Sequence, residues 1–221
     1  MGNFFISADL AQVNDYTAIT VLEIVGSEAN KVYHLRHIER PERGTTYPKI
    51  VDRLKEIADS GPLAGKDKTV VIDVTGVGRP VWDLLKAATF DSYTLLSGIM
   101  ITGGNTVTEE GSIYHVPKRD LVTALQVAFQ NGALKIAKGL PEAETLVREL
   151  TNFKVKINVK GHDQYEAWRE GIHDDLVLSA AMGVWLASQH QSSWELDVID
   201  YSPLAGGGYK DDTGTWYKSG R

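Results

Sequence analysis

Gly171-Ile172-His173-Asp174-Asp175-Leu176-Val177-Leu178-Ser179-Ala180-Ala181 sets two adjacent aspartates at the mouth of a segment whose next turns are almost wholly apolar and small. The apolar character runs to about Gln189, which predicts a buried helix. One aspartate at such a start serves as an N-cap, its carboxylate accepting a backbone N–H from the first turn. A pair asks for more. Neighbouring carboxylates repel, only one can cap, and the second calls for a cation. If that cation is a metal, further carboxylates must arrive from elsewhere in the chain.

Two other segments supply them. Asn3-Phe4-Phe5-Ile6-Ser7-Ala8-Asp9 is a short apolar run that ends on an aspartate, and so is Thr69-Val70-Val71-Ile72-Asp73. Both read as buried strands with the carboxylate at the C-terminal end. Asn14-Asp15 is turn chemistry, after which Thr17 to Val25 is rich in β-branched residues, and Lys31 to Ile38 is a third strand candidate beyond a Gly26–Asn30 turn. Three strands joined by short turns make an antiparallel meander. Helix and strand then alternate. Ile50, Val51, Leu54, Ile57 and Ala58 recur at helical spacing, Pro80 opens a second helix, and Tyr93 to Ile101 is a strand. Pro117-Lys118-Arg119-Asp120 opens a helix to Phe129, Ala133 to Ile136 is a short strand, and Pro141 starts a helix to about Leu150. Phe153 to Lys160 alternates lysine with apolar residues, which predicts a half-exposed strand or hairpin arm.

The expected architecture is α/β: a mixed sheet, an antiparallel three-strand meander plus parallel strands, flanked by α-helices in one domain over residues 1–191. Residues 192–221, with Gly206-Gly207-Gly208, are expected to form a loosely ordered tail. The 221 residues suit one sizeable domain, and the absence of cysteine excludes disulfides, zinc–thiolate sites and thiol nucleophiles. No run approaches the length of a membrane span, and no secretory leader is visible at the N-terminus. A net charge of −6 argues against wrapping nucleic acid over the whole surface, but leaves room for a basic groove beside an acidic centre.

In open α/β sheets the functional crevice lies beyond the carboxyl ends of the strands. If the Asp9 and Asp73 strands are parallel neighbours, those two carboxylates emerge side by side, and a helix packed on the sheet can bring Asp174 and Asp175 to them. Four carboxylates without thiols favour a hard cation, Mg²⁺ or Mn²⁺. Two such ions about 3.5–4 Å apart clamp the attacking and leaving oxygens of a phosphodiester.

These residues resemble the RNase H-like nuclease fold, and within it the nuclease domain of phage large terminases. Ile6-Ser7-Ala8-Asp9 with Asp15-Tyr16-Thr17-Ala18 is similar to that family's first motif. Val71-Ile72-Asp73 with Gly76-Val77-Gly78 is similar to the second, and His173-Asp174-Asp175-Leu176 with Ala180-Ala181 to the third. The resemblance implies that Asp9 bridges two metal ions, Asp73 completes one site, Asp174 or Asp175 the other, and Asp15 is an auxiliary acidic group. It implies a metal-dependent endonuclease that cuts concatemeric double-stranded DNA with little sequence preference in the cytoplasm of an infected bacterium. Its partners would be the terminase ATPase domain, the small subunit and the portal. No ATPase module accompanies the motifs: Gly61-Pro62-Leu63-Ala64-Gly65-Lys66-Asp67 is one residue short of a phosphate-binding loop and lacks its hydroxyl. The chain then reads as a nuclease domain of a larger motor or a stand-alone relative.

Other readings compete. On the same fold, a Holliday-junction resolvase or ribonuclease H would need a similar carboxylate set. A sugar-kinase or actin-like ATPase shares the early Asp-bearing strands but needs two such domains, and a non-catalytic DNA-docking domain would ignore Mg²⁺. Gly76-Val77-Gly78 lacks the third glycine of a dinucleotide fingerprint. His173 is a candidate for proton transfer because an unperturbed imidazole has a pKa near neutrality, yet a histidine beside a helix start more often packs or hydrogen-bonds. Lys118, Arg119, Lys154, Lys156 and Lys160 are candidates to meet DNA phosphates, although each alone reads more readily as a solvated face.

Overall fold

A computed structural model describes residues 3–11, 16–27, 30–76, 78–159, 174–189, 208–210 and 216–218. The chain divides into two units, Met1–His190 and Gln191–Arg221. Within the first, β1 (Asn3–Asp9), β2 (Ala18–Val25) and β3 (Val32–Glu39) precede α1 (Tyr47–Ala58), and then β4 (Lys68–Asp73), α2 (Gly78–Ala87) and β5 (Thr94–Thr102). A short ribbon, β6 (Thr108–Glu110) and β7 (Ile113–Pro117), leads into α3 (Lys118–Gln130), β8 (Leu134–Ile136), α4 (Ala143–Val159) and α5 (Asp175–Gln189). In the second unit, β9 (Gly208–Lys210) and β10 (Trp216–Lys218) pair antiparallel.

The eight strands of the first unit form one sheet in the order β6-β7-β5-β4-β1-β2-β3-β8. The meander is antiparallel, with Asp9 opposite Ala18 and Ile19 opposite Glu39. β4 runs parallel to β1, with Ala8 level with Ile72, and β5 and β7 continue the parallel series. β4 carries an unbroken Val-Val-Ile run because it is covered on both faces, as parallel central strands are.

Strand parity sorts the core into two layers. Phe4, Ile6, Ala8, Val70 and Ile72 pack with Ile50, Leu54, Val81, Trp82 and Leu85 of α1 and α2. Phe5, Leu22, Val71 and Ile99 face the opposite way, onto Leu121, Leu125, Leu146 and the apolar residues of α5. Thirteen residues of α5, Asp175 to Ala187, are buried, so this helix forms the centre of its layer. It lies close on the sheet: a Cβ on Gly183 would stand 2.5 Å from Ser7 Oγ and 2.8 Å from Leu22 Cδ1. Ser179 Oγ bridges to the Ser7 carbonyl and to Thr20 Oγ1, both at 2.9 Å, which pairs those three buried groups, while the Ser7 hydroxyl beside them has no hydrogen-bond partner among the described residues.

The expected strand or hairpin arm at Phe153–Lys160 is corrected: residues 153–159 continue α4. Leu146 and Leu150 anchor that helix in the core, and once a helix is nucleated each added residue contributes another backbone bond. Propagation from the anchors overrides the local two-residue alternation. Among the described residues, no helix is long and apolar enough to cross a membrane.

Candidate active site

Parity that puts Ser7 and Val71 under the α3–α5 layer also puts Asp9 and Asp73 on that face. Both end their strands at the same edge, and the register that sets Ala8 beside Ile72 brings Asp9 level with Asp73. Neighbouring strands stand about 4.8 Å apart. The Asp73 carboxylate is oriented locally: its Oδ1 accepts the Thr75 N–H at 2.7 Å, while Thr75 Oγ1 accepts the Ile101 N–H at 2.8 Å. Gly78 lets the start of α2 close over this turn, since a Cβ there would lie 1.8 Å from the Asp73 carbonyl oxygen.

α5 begins at the same edge. The Leu178 N–H bonds the Asp174 carbonyl at 2.8 Å, which makes Asp174 the N-cap residue and Asp175 the first residue of the helix. The two side chains then diverge. Asp174 Oδ2 accepts from Lys118 Nζ at 2.9 Å. Asp175 is gripped at both oxygens by Arg40, from Nε at 2.7 Å and Nη2 at 3.0 Å, and Arg40 Nη2 also donates to Glu149 Oε1 on α4. Arg40 follows directly on β3, and its guanidinium stacks 5.0 Å from the centre of the Tyr16 ring.

The electrostatics show that the carboxylates share one field. Burial pushes the Asp9 carboxyl well above the usual aspartate range, the charges of Asp73, Asp174 and Asp175 push it further, and Lys118 opposes them. Burial also raises Asp73, against its bonds to Thr75 and the pull of Lys118. Burial raises Glu149 to about 7, with Arg40 acting in the other direction. Five carboxylates (Asp9, Asp73, Asp174, Asp175 and Glu149) thus gather at one edge around two cations, Arg40 and Lys118. Such a deficit of positive charge suits a divalent cation. The donors are all carboxylate oxygens, the chemistry that Mg²⁺ and Mn²⁺ select, although among the described residues no three acidic or imidazole side chains already enclose an ion position.

The structure therefore brings together Asp9, Asp73, Asp174 and Asp175. Asp15, His173 and Lys160 lie outside the described residues, as do the side chains of Lys154 and Lys156, whose backbone belongs to α4. Lys118 points into the acidic group. Arg119 lies beside it, bonded to Asp120 Oδ1 at 3.2 Å and to the Asn105 carbonyl at 3.1 Å. Nothing in the sequence marks Arg40 or Glu149, because an arginine within the charged run Glu39-Arg40-Pro41-Glu42-Arg43 and a glutamate on an amphipathic helix both look solvated.

A meander continued by parallel strands, with strand-end aspartates under an aspartate-opened helix, defines the class as an RNase H-like domain. Residues 6–183 match the family described as the terminase RNaseH-like domain, and the chain belongs to it. Solved structures agree on the fold. The large terminase nuclease from thermophilic phage G20c is 19% identical, with a TM-score of 0.51 over 82% of this chain and 81% of that one. The human cytomegalovirus terminase nuclease domain, Mn-soaked and inhibitor-bound, is 11% identical, with a TM-score of 0.52 over 84% and 82%. No curated protein sequence gives a significant match.

Proposed function

We propose that this chain is a metal-dependent endonuclease of a viral DNA-packaging terminase, acting on concatemeric double-stranded DNA with little sequence preference. The observation that carries this reading is the meeting of Asp9 and Asp73, on adjacent parallel strands, with Asp174 at the start of α5, where burial and the neighbouring acids together raise the Asp9 carboxyl well above its ordinary range. Membership of the terminase RNaseH-like family supports it.

Asp9, Asp73 and Asp174 would hold Mg²⁺ or Mn²⁺, two ions by analogy with other carboxylate phosphodiesterases, and Asp15 would assist. Bound divalent ions lower the pKa of water and neutralise charge building on the departing oxygen. The rest is done by the chain. Asp9, whose carboxyl burial and the neighbouring acids raise well above the ordinary aspartate range, would bind such an ion as the carboxylate. The Thr75 N–H keeps the Asp73 carboxylate directed toward the edge. Lys118 partly offsets the acidic charge through its bond to Asp174, and its ammonium would also attract a DNA phosphate; Arg119 stands beside it on the α3 side of the edge. In the packaging assembly, the ATPase domain, the small subunit and the portal would present the DNA, in the host cytoplasm.

The test is cleavage of supercoiled plasmid in Mg²⁺, Mn²⁺ or EDTA, beside a four-way junction and an RNA–DNA hybrid. Metal-dependent cutting of linear duplex supports the proposal. A strong preference for the junction or the hybrid replaces it with a resolvase or ribonuclease H, and DNA binding indifferent to metal replaces it with a docking domain.

A further inference from the structure

We propose that Arg40 is a positioning residue that withdraws Asp175 from the metal ligands and sets Asp174 toward Asp9 and Asp73; this rests on the nuclease reading above. Three observations carry it. The Arg40 fork occupies both Asp175 oxygens, at 2.7 and 3.0 Å, and paired charge-assisted bonds of this kind are among the strongest polar contacts in a fold. The assembly is buried, with the Arg40 side chain 12% exposed and those of Asp175 and Glu149 8% each. Arg40 also ties three elements together, joining the end of β3 to α4 through Glu149 and to the first residue of α5 through Asp175.

The consequence for Asp174 follows from chain geometry. Asp175 is pinned at the first helical position, so the backbone direction of the preceding residue is set. The Asp174 side chain leaves on the Lys118 side, held there at Oδ2 by an ammonium on a flexible stem. A cation can displace that single contact more readily than it can break a buried two-bond fork. Of the two adjacent aspartates, Asp174 is thus the ligand and Asp175 the anchor. A residue that orients a ligand from behind typically governs affinity by about ten- to a hundredfold. Lysine cannot replace Arg40, because its ammonium does not span two carboxylate oxygens in a planar fork.

The experiment uses the full chain and Mn²⁺ alone. Mn²⁺ dissociation constants are measured by electron paramagnetic resonance at low temperature for the native chain and for Asp174→Asn, Asp175→Asn, Arg40→Lys and Arg40→Met, with folding checked by circular dichroism in EDTA. The proposal expects Arg40→Lys to weaken Mn²⁺ binding about tenfold or more while the protein stays folded, and Asp174→Asn to weaken it more than Asp175→Asn. If folded Arg40→Lys binds Mn²⁺ as the native chain does, Arg40 only stabilises the fold and the proposal is overturned. A greater loss in Asp175→Asn than in Asp174→Asn overturns it too, by making Asp175 the ligand. A native chain that binds no Mn²⁺ overturns the metal-dependent reading itself, a result distinct from either.

Discussion

Arg40 reaches Asp175 across 135 positions of sequence and donates to both of its carboxylate oxygens, at 2.7 and 3.0 Å. The pair joins the last strand of the meander to the first turn of the helix that carries the aspartates, so it belongs to the fold and to the site at once. Its stability and its ligand-setting role are separable by measurement.

Removing the guanidinium leaves Asp175 and Glu149 buried without their shared cation. Arg40→Met should lower unfolding stability by about 3–5 kcal/mol, the usual cost of breaking a buried ion pair from one side. Chemical denaturation in EDTA at neutral pH measures it. A double substitution, Arg40→Met with Asp175→Leu, should recover much of the loss, because the uncompensated charge goes with its partner.

Glu149 gives stability a pH dependence. Burial raises its carboxyl from 4.5 to about 7 in the folded protein, which therefore holds this proton more tightly than the unfolded chain does. The favourable contribution is complete below about pH 4.5 and is lost as pH rises through about 7, a change on the order of 2–3 kcal/mol. Denaturation midpoints taken from pH 5 to 8 should fall for the native chain from this source, and Glu149→Gln should flatten the fall.

Gly78 and Gly183 tolerate no side chain, for different reasons. At Gly78 a Cβ would overlap the Asp73 carbonyl oxygen at 1.8 Å, a backbone atom that cannot rotate away. Gly78→Ala should displace the Asp73 turn and reduce metal-dependent cleavage together with stability. At Gly183 a Cβ meets only side-chain atoms, Ser7 Oγ and Leu22 Cδ1, but both residues are fully buried. The helix-propensity gain of about 1 kcal/mol for alanine over glycine should be outweighed, for a net loss of about 1–3 kcal/mol. Thermal melts of the two variants check this.

Much of the architecture was legible in the chain itself. The runs ending in Asp9 and Asp73 are continuous because their strands are covered on both faces, and parity places both carboxylates under α5. The helix from Asp175 to Gln189 follows from its unbroken apolar turns. Less was legible where tertiary context decides. Thr108–Glu110 is exposed along its length, so no apolar pattern marks β6. The Lys-Val-Lys-Ile alternation after Phe153 pointed to a strand, yet it lies on a helix anchored upstream at Leu146 and Leu150. Arg40 and Glu149 carry no local mark of burial, since the bonds that join Arg40 to Glu149 and to Asp175 span 109 and 135 positions.

The central claim is that the carboxylates at the ends of β1 and β4 hold the ions that cut DNA. The most direct measurement is the rate of supercoiled plasmid cleavage in Mn²⁺ and in EDTA, for the native chain, Asp9→Asn and Asp73→Asn, each confirmed folded by circular dichroism. The account predicts cleavage only with metal, reduced about a hundredfold or more in both variants, since losing a ligand should cost at least as much as losing a residue that merely supports one. Cleavage that survives both substitutions, or a native chain that cuts with neither Mg²⁺ nor Mn²⁺, would contradict it.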